Sequence, residues 1–315
     1  MSVLIDIAAG NHSENAISPK VVSGRNIKIT KHYRESSDAS LYLGDCRDLL
    51  RQIPDSSAQL VVTSPPYNIG KEYESRLNLD EYVEQQAEII KESYRVMSDE
   101  GSLCWQVGNY VNKGEIIPLD ILLYPVFRDL GLKMRNRIVW HFEHGLHCTR
   151  RFSGRYEVIA WFTKTDDYIF DLDPVRVPQK YPGKKHFKGP RAGEYSCNPL
   201  GKNPSDFWSI PNVKHNHVEK TIHPCQFPVE LVERLVLSMT ESGGLVVDPF
   251  MGVGSAGVAA VRHGRRMAGA EIVESYHEIA RNRLREVWNG ELRTRPMGKE
   301  VYRPVSGRAV NGVRR

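Results

Sequence analysis

Two loops of this 315-residue chain hold residue types at spacings that can do chemistry. The first is 248-DPFMGVGSAG-257, which follows the apolar run 244-GLVVD-248 and leads into a helix-like stretch. Gly252 and Gly254 allow a sharp turn and a close approach of a ligand to the backbone. In open α/β sheets such a strand-to-helix loop is where ligands bind. A glycine-rich loop alone suits nucleotide and dinucleotide alike. No Lys-Ser/Thr pair follows, so a phosphate cradle of the P-loop type is absent. Asp248 at the strand end would repel a pyrophosphate and attract a cation. Glu271, closing the next strand 266-RMAGAE-271, is placed to accept hydrogen bonds from a ribose diol. A ligand with a positive amino-acid end and a ribose fits better than NAD, and S-adenosylmethionine has both. The plain alternative is a glycine-rich turn in which Asp248 caps a helix.

The second loop, 63-TSPPYN-68, also follows an apolar strand, 58-AQLVV-62. Consecutive prolines stiffen the backbone and supply no N–H to satisfy nearby carbonyls. An outward carbonyl beside a serine hydroxyl and an aromatic ring makes a polar slot with a stacking wall. Such a slot suits a planar ring bearing an amino group, although a PP dipeptide by itself is a common turn.

The elements that must carry these loops read as follows. Residues 40-SLYLGDCRDLLRQIP-54 give a strand, a turn at Gly44-Asp45 and a helical turn stopped by proline. Residues 79–97 form a helix whose apolar positions Val83, Ala87, Ile90, Tyr94 and Met97 recur at steps of four and three, with Asp80 and Glu81 at its start. Strands are expected at 102–107, 136–142 and 156–163, with a helix at 118–130. After Pro228 come a helix at 228–240 with Leu231, Leu235 and Met239 on one face, a strand at 244–248, a helix at 255–264, a strand at 266–271 and a helix at 274–288. Strand and helix alternate with short connections, the signature of an α/β, doubly wound, mostly parallel sheet. Between the two halves, residues 176–222 carry nine Lys or Arg against three Asp or Glu, with Tyr181, Phe187, Tyr195, Phe207 and Trp208 interleaved. No period survives there, which marks a loop-rich insert. The last 25 residues hold seven Arg or Lys and two Glu and read as a basic tail.

Composition sets bounds. Hydrophobic residues are 40% and charged residues 26%, values of a globular chain rather than a disordered or collagen-like one. No apolar run approaches the roughly 20 residues that span a bilayer, and the N-terminus is a poor signal peptide, so no membrane role is expected. The five cysteines show no CxxC spacing and fit reduced thiols in a cytoplasmic protein. The net charge of +5 gains meaning only from its concentration in the insert and tail.

Taken together, TSPPY followed far downstream by DPFMGVGSAG resembles the beta group of DNA amino-methyltransferases, in which the catalytic loop precedes the cofactor loop. The resemblance covers most of 40–290. It extends to 42-YLGDCRDLL-50, to 154-GRYEVIAWFTK-164 and to 223-HPCQFPVELVERLV-236, where Phe227 stands at a position at which the family commonly has lysine. It implies the S-adenosylmethionine-dependent methyltransferase fold with a target-recognition insert. The expected organisation is an N-terminal arm (1–35), a core (36–165 and 223–290), the insert (166–222) and the tail (291–315). It implies methyl transfer from S-adenosylmethionine to the exocyclic amine of a flipped base in double-stranded DNA, adenine N6 or cytosine N4. Serine in this motif leans toward cytosine, whereas the following NIG resembles adenine enzymes. The setting implied is restriction–modification in a bacterial or phage-type cytoplasm near the nucleoid, with a homodimer as one assembly.

Residue by residue, the resemblance assigns Ser64, Pro65, Pro66 and Tyr67 to catalysis. The Ser64 hydroxyl and Pro65 carbonyl would accept hydrogen bonds from the NH₂ group, and Tyr67 would stack on the base. Asp248, Phe250, Gly252, Gly254, Ser255 and Glu271 go to the cofactor, together with Asp45, which reads equally well as a turn aspartate. Lys180, Lys184, Lys185, Lys188 and Arg191 go to nucleic acid. Rival readings are a catalytically inactive DNA binder, or transfer to RNA or a protein glutamine. Cys225 in 224-PCQ-226 mimics the nucleophile loop of cytosine C5 enzymes, but it precedes the cofactor loop, the reverse of that family's order. His141, His144 and His147 have no zinc-finger spacing and are expected to be surface or cleft residues.

Overall fold

A computed structural model describes residues 25–67 and 77–301. The arm up to residue 24, the NIG tripeptide at 68–70 and the tail from 302 onward lie outside the described residues. The chain runs β1 (Ile29–Thr30), β2 (Ala39–Leu43), α1 (Cys46–Leu50), β3 (Ala58–Thr63), α2 (Leu79–Val96) and β4 (Met97–Val107). A hairpin of β5 (Asn109–Asn112) and β6 (Glu115–Pro118) leads to α3 (Leu119–Asp129), β7 (Lys133–His141) and β8 (Tyr156–Thr163). After β9 (Phe207–Ser209) come α4 (Val229–Met239), β10 (Leu245–Asp248), α5 (Ser255–Arg262), β11 (Arg266–Glu271) and α6 (Glu274–Trp288).

Among the described residues one sheet has the order β1-β2-β11-β10-β3-β4-β8-β7-β9. Only β8 runs against the others, pairing antiparallel with β4 and β7. The chain moves outward one way from β3 to β4 and the other way from β10 to β11, while β3 and β10 pair directly through Leu60–Val246 and Val61–Val247. Their carboxyl ends therefore diverge into helices on opposite faces, which opens the crevice that such sheets use for ligands. The two loops singled out in the sequence leave from these two strands.

Both faces of β3 are covered. Leu60 and Val62 join the core beneath α4 and α5, while Val61, and Ala58 across a register irregularity before Leu60, join the core beneath α1 and α2. Burial on both faces is why the strand reads as a continuous apolar run.

Several expected faces need correction. On α2 the buried positions are Tyr82, Gln86, Ile89, Ile90, Ser93 and Val96, so the stripe is turned by about one residue from the expected one. Val83 and Tyr94 sit at its margin because the small Ser93 and the amide of Gln86, rather than larger apolar side chains, face the sheet. On α4 every residue is buried, not one face. Its charged side chains find company: Glu230 pairs with Arg295, Glu233 with His263 at 2.6 Å, and the Arg234 guanidinium lies 4.7 Å from the Trp208 ring centre. The tail accordingly begins as part of the fold. Arg295 is buried, and its backbone N–H donates to Glu219, which also accepts from Val229 N–H.

The insert is likewise not all loop. Trp208 on β9 is buried against the core because β9 extends the sheet beside β7. Tyr181, Phe187, Tyr195 and Phe207 are exposed.

Candidate active site

Loop 63–67 begins where β3 ends. Thr63 is fully buried, and its hydroxyl donates to Asp248 Oδ1 at 2.6 Å, tying the end of β3 to the end of β10. Phe250 N–H donates to the same carboxylate oxygen at 3.2 Å. Asp248 is itself completely buried, its Oδ2 has no partner among the described residues, and burial pushes its carboxyl up to about 7. It therefore stands behind the pocket wall, pinning both loops from below.

Beyond Thr63 the side chains Ser64, Pro65, Pro66 and Tyr67 face a cavity of about 300 Å³. Ser64 Oγ and Tyr67 Oη are 3.0 Å apart. Tyr67 Oη donates to Glu157 Oε2 at 3.2 Å and accepts from Gln106 Nε2 at 2.7 Å. Gln106 Nε2 also donates to Glu157. A Cβ on Gly108 would come 3.2 Å from the Tyr67 ring, so glycine there leaves the ring its place. Burial pushes the Glu157 carboxyl up to about 7, against the pull of its hydrogen bonds to Tyr67 and Gln106 and the charge of Lys214. Burial, then the Glu157 charge, pushes the Tyr67 phenol well above its usual value. Tyr67 thus stays a neutral phenol.

The opposite wall comes from β10, β11 and the turn after β2. Phe250, Gly252, Ser255 and Glu271 line the cavity, as do Phe227, His223 and Asp45. Phe250 is held edge-on to Trp105, with ring centres 6.4 Å apart. Gly252 has φ +52°, and a Cβ there would meet the His223 ring at 3.3 Å. Gly254 lies behind the wall as the N-cap of α5, at φ +78°; a Cβ there would meet Ala280 at 3.0 Å. Ser255 Oγ donates to the Phe227 carbonyl at 2.9 Å, joining segment 223–228 to the glycine loop. Glu271 accepts Val273 N–H at 2.8 Å, and burial raises its carboxyl above the ordinary value. Asp45 caps α1, accepting Arg47 N–H at 2.8 Å, and its residue also lines the cavity edge. The Arg47 guanidinium beside it holds its carboxyl below the usual range.

Three residues were missed from sequence. Glu157 and Gln106 are charged and amide side chains at strand positions that face the slot. Glu157 lies within the resemblance-bearing segment 154–164, which was the available signal. His223 opens HPCQFP; burial lowers its imidazole to about 4, so it is neutral near pH 7.

The cations assigned to nucleic acid lie away from this cavity, on the insert. A short ladder, with His186 N–H to Glu194 carbonyl at 2.9 Å and Ser196 N–H to Lys184 carbonyl at 2.9 Å, builds a projecting hairpin. Lys184, Lys185, Lys188 and Arg191 on it are exposed, and Lys180 is exposed just before it. Lys185 stands 5.2 Å from the Tyr195 ring centre and Lys180 5.5 Å from that of Tyr181. Arg191 pairs with Glu194 at 3.0 Å.

The family model described as DNA methylase matches residues 58–282. Type II methyltransferase M.BglII of Bacillus subtilis is 54% identical over 241 residues, covering 76% of this chain and 67% of that protein. Type II methyltransferase M.ScaI of Streptomyces caespitosus is 40% identical over 265 residues, covering 81% and 84%. Among solved structures, PvuII DNA methyltransferase (cytosine-N4-specific) superimposes with a TM-score of 0.65 at 22% identity, over 85% of this chain and 96% of that one. TTHA0409 of Thermus thermophilus, solved with S-adenosyl-L-methionine, gives a TM-score of 0.55 at 26% identity, over 79% and 96%. The chain belongs to the DNA methylase family of the N6/N4 type.

Proposed function

We propose that this protein moves a methyl group from S-adenosylmethionine to the exocyclic amine of adenine or cytosine, on a base swung out of duplex DNA at a specific sequence. The observation that carries the reading is the chain Ser64–Tyr67–Glu157, braced by Gln106, opening into the same cavity as Phe250, Gly252 and Glu271.

The cavity suits the cofactor. Its size falls at the lower end of the range for small-molecule sites. Phe250 and Phe227 offer apolar walls for a flat ring, and Asp45 and Glu271 offer carboxylates for a cationic end and a diol. When bound, S-adenosylmethionine supplies an electrophilic methyl on a sulfonium.

The chain's own residues deal with the amine. An exocyclic amine on adenine or cytosine is a weak nucleophile because its lone pair is delocalised into the ring. With Glu157 ionised, Tyr67 O–H donates to it, and Ser64 O–H then donates to Tyr67. That leaves the Ser64 oxygen to accept an N–H from the amine. An acceptor already oriented in the site costs no reorganisation energy at the moment of reaction, which favours the charge that develops on nitrogen. Tyr67 also presents its ring as a stacking wall, so much of the rate gain comes from positioning. Adenine and cytosine share the amine-beside-ring-nitrogen edge that such a slot reads. Swinging the base out of a duplex costs a few kcal/mol, and the cationic hairpin supplies phosphate contacts that hold the duplex.

The test is to incubate purified protein with mixed-sequence duplex DNA and isotope-labelled S-adenosylmethionine, digest to nucleosides and identify the labelled one by mass spectrometry. Label on N6-methyldeoxyadenosine or N4-methyldeoxycytidine is expected, and it names the base. Label on 5-methyldeoxycytidine, or none on DNA, overturns the reading.

A further inference from the structure

Residues 142–155 connect β7 to β8. This connection springs from the carboxyl end of β7, the end at which Ser64 and Phe250 lie, and returns into Tyr156, one residue before Glu157. The loop is tied down at its base. Phe142 N–H donates to the Arg155 carbonyl at 2.8 Å, Arg155 Nη1 to the Leu146 carbonyl at 2.9 Å, and Cys148 N–H to Ser153 Oγ at 3.0 Å. Asn212 Nδ2 adds a tie to the His144 carbonyl at 3.2 Å.

From this braced base two apolar side chains stand in open solvent. Phe152 is 101% exposed and Leu146 88% exposed. Beside them Arg150 and Arg151 are exposed and form no ion pair among the described residues. A fully solvated phenylalanine directly after two exposed arginines fits a partner that is apolar inside and anionic outside. Stacked bases between two phosphate backbones have that build.

We infer that Phe152 is a wedge that enters the base stack where the target base leaves it, with Arg150 and Arg151 gripping the flanking phosphates. The inference rests on the proposed function, since it presumes a base swung out of a duplex. Reach supports it: Phe152 lies five positions before Glu157, at most about 18 Å of chain, so the wedge and the slot that holds Tyr67 serve one nucleotide. Phe187, the other strongly exposed ring, stands on the insert hairpin with the Lys188 ammonium 5.9 Å from its centre. The hairpin is left to groove and phosphate contacts.

The experiment compares Phe152→Ala with the unaltered protein in single-turnover methylation of two duplexes carrying the recognition site, mapped beforehand by modification-sensitive sequencing of mixed-sequence DNA that the unaltered protein has methylated. One has a paired target base and the other has the target base opposite an abasic position, where swinging out is easier. The thermal midpoint and S-adenosylmethionine affinity of the variant are checked first and are expected to match the unaltered protein. The expected result is a loss of tenfold or more on the paired duplex that shrinks below about threefold on the abasic one. Equal loss on both duplexes, or loss on neither, overturns the wedge while leaving the methyltransferase reading intact. Failure of the unaltered protein to methylate either duplex overturns the function and the wedge with it. A second variant, Arg150→Ala with Arg151→Ala, is expected to weaken binding to both duplexes alike and flatten its salt dependence by a slope of about two; an unchanged slope removes the phosphate grip from the inference.

Discussion

Replacing Glu157 by glutamine separates a charged brace from a merely shaped one. The amide matches the carboxyl in size but cannot ionise, and its NH₂ group can donate to the Tyr67 oxygen, a reversal that the ionised carboxylate forbids. In the unaltered protein the carboxyl titrates at about 7, raised mainly by burial. The hydrogen-bond direction that frees the Ser64 oxygen needs the ionised form. Only roughly a tenth of the sites are ionised at pH 6 and roughly nine tenths at pH 8, one unit on each side of that value. The single-turnover rate should therefore rise about tenfold from pH 6 to pH 8, then level. Glu157→Gln should be flat across the same range and slower at pH 8 by about tenfold or more, with S-adenosylmethionine affinity unchanged. Single-turnover conditions matter because product release can hide the chemical step. A rate that falls between pH 6 and 8, or a Glu157→Gln variant that keeps the unaltered pH profile, would refute the reasoning.

Four other outcomes are expected. Tyr67→Phe keeps the stacking wall and loses the hydroxyl between Ser64 and Glu157, so its rate at pH 8 should drop about tenfold, whereas Tyr67→Ala should lose a hundredfold or more in the same methylation assay. Asp248→Asn should gain stability relative to the unaltered protein as pH rises. The folded carboxyl keeps its proton to about 7 while the unfolded one loses it near 4, so the unaltered protein is destabilised across that window. Between pH 5 and 8 the difference in unfolding free energy should swing by about 3 kcal/mol, measured by denaturant titration; a swing below about 1 kcal/mol speaks against a buried, protonated Asp248. Gly254→Ala puts a Cβ 3.0 Å from Ala280 at φ +78° and should cost about 1–3 kcal/mol with loss of cofactor affinity, read by calorimetry. Cys225→Ser should keep its methylation activity, because the slot needs no thiolate nucleophile; complete loss would revive the C5 reading.

The strands themselves were legible wherever one short-range pattern decided the structure. β3, β10 and β11 are apolar runs bounded by breakers, and β10 and β11 are joined through a helix, so their parallel pairing follows from pattern alone. The boundaries of α6 follow from its apolar period in the same way. The two chemistry-bearing loops were found because each sits at the end of such a strand. Asp248 marks the limit of that reasoning: position at a strand end placed it beside the ligand, but the Thr63 hydroxyl turns its carboxylate inward beneath the loop. A sequence shows that an acid is at the end of a strand, and not which side of the loop its side chain takes.

Glu157 was hidden for a different reason. Its strand, β8, runs against its neighbours, so its first residues, not its last, reach the ligand end of the sheet. A rule that looks for chemistry at the carboxyl ends of parallel strands passes over it. The register then brings Glu157 beside Trp140 on β7 and one residue from the Val107–Val158 pair, which sets its carboxylate against Tyr67 across the sheet end. No spacing in the sequence joins residues 67, 106 and 157, because the link exists only through strand order. The same reversal makes the β7–β8 connection a hairpin loop at the active end of the sheet. One antiparallel strand thereby delivers both a buried carboxylate to the slot and an exposed phenylalanine to the solvent beside it. An acid that orders the hydroxyls and a wedge that delivers the base would then share one continuous stretch of backbone, closed at its base by the Phe142–Arg155 hydrogen bond.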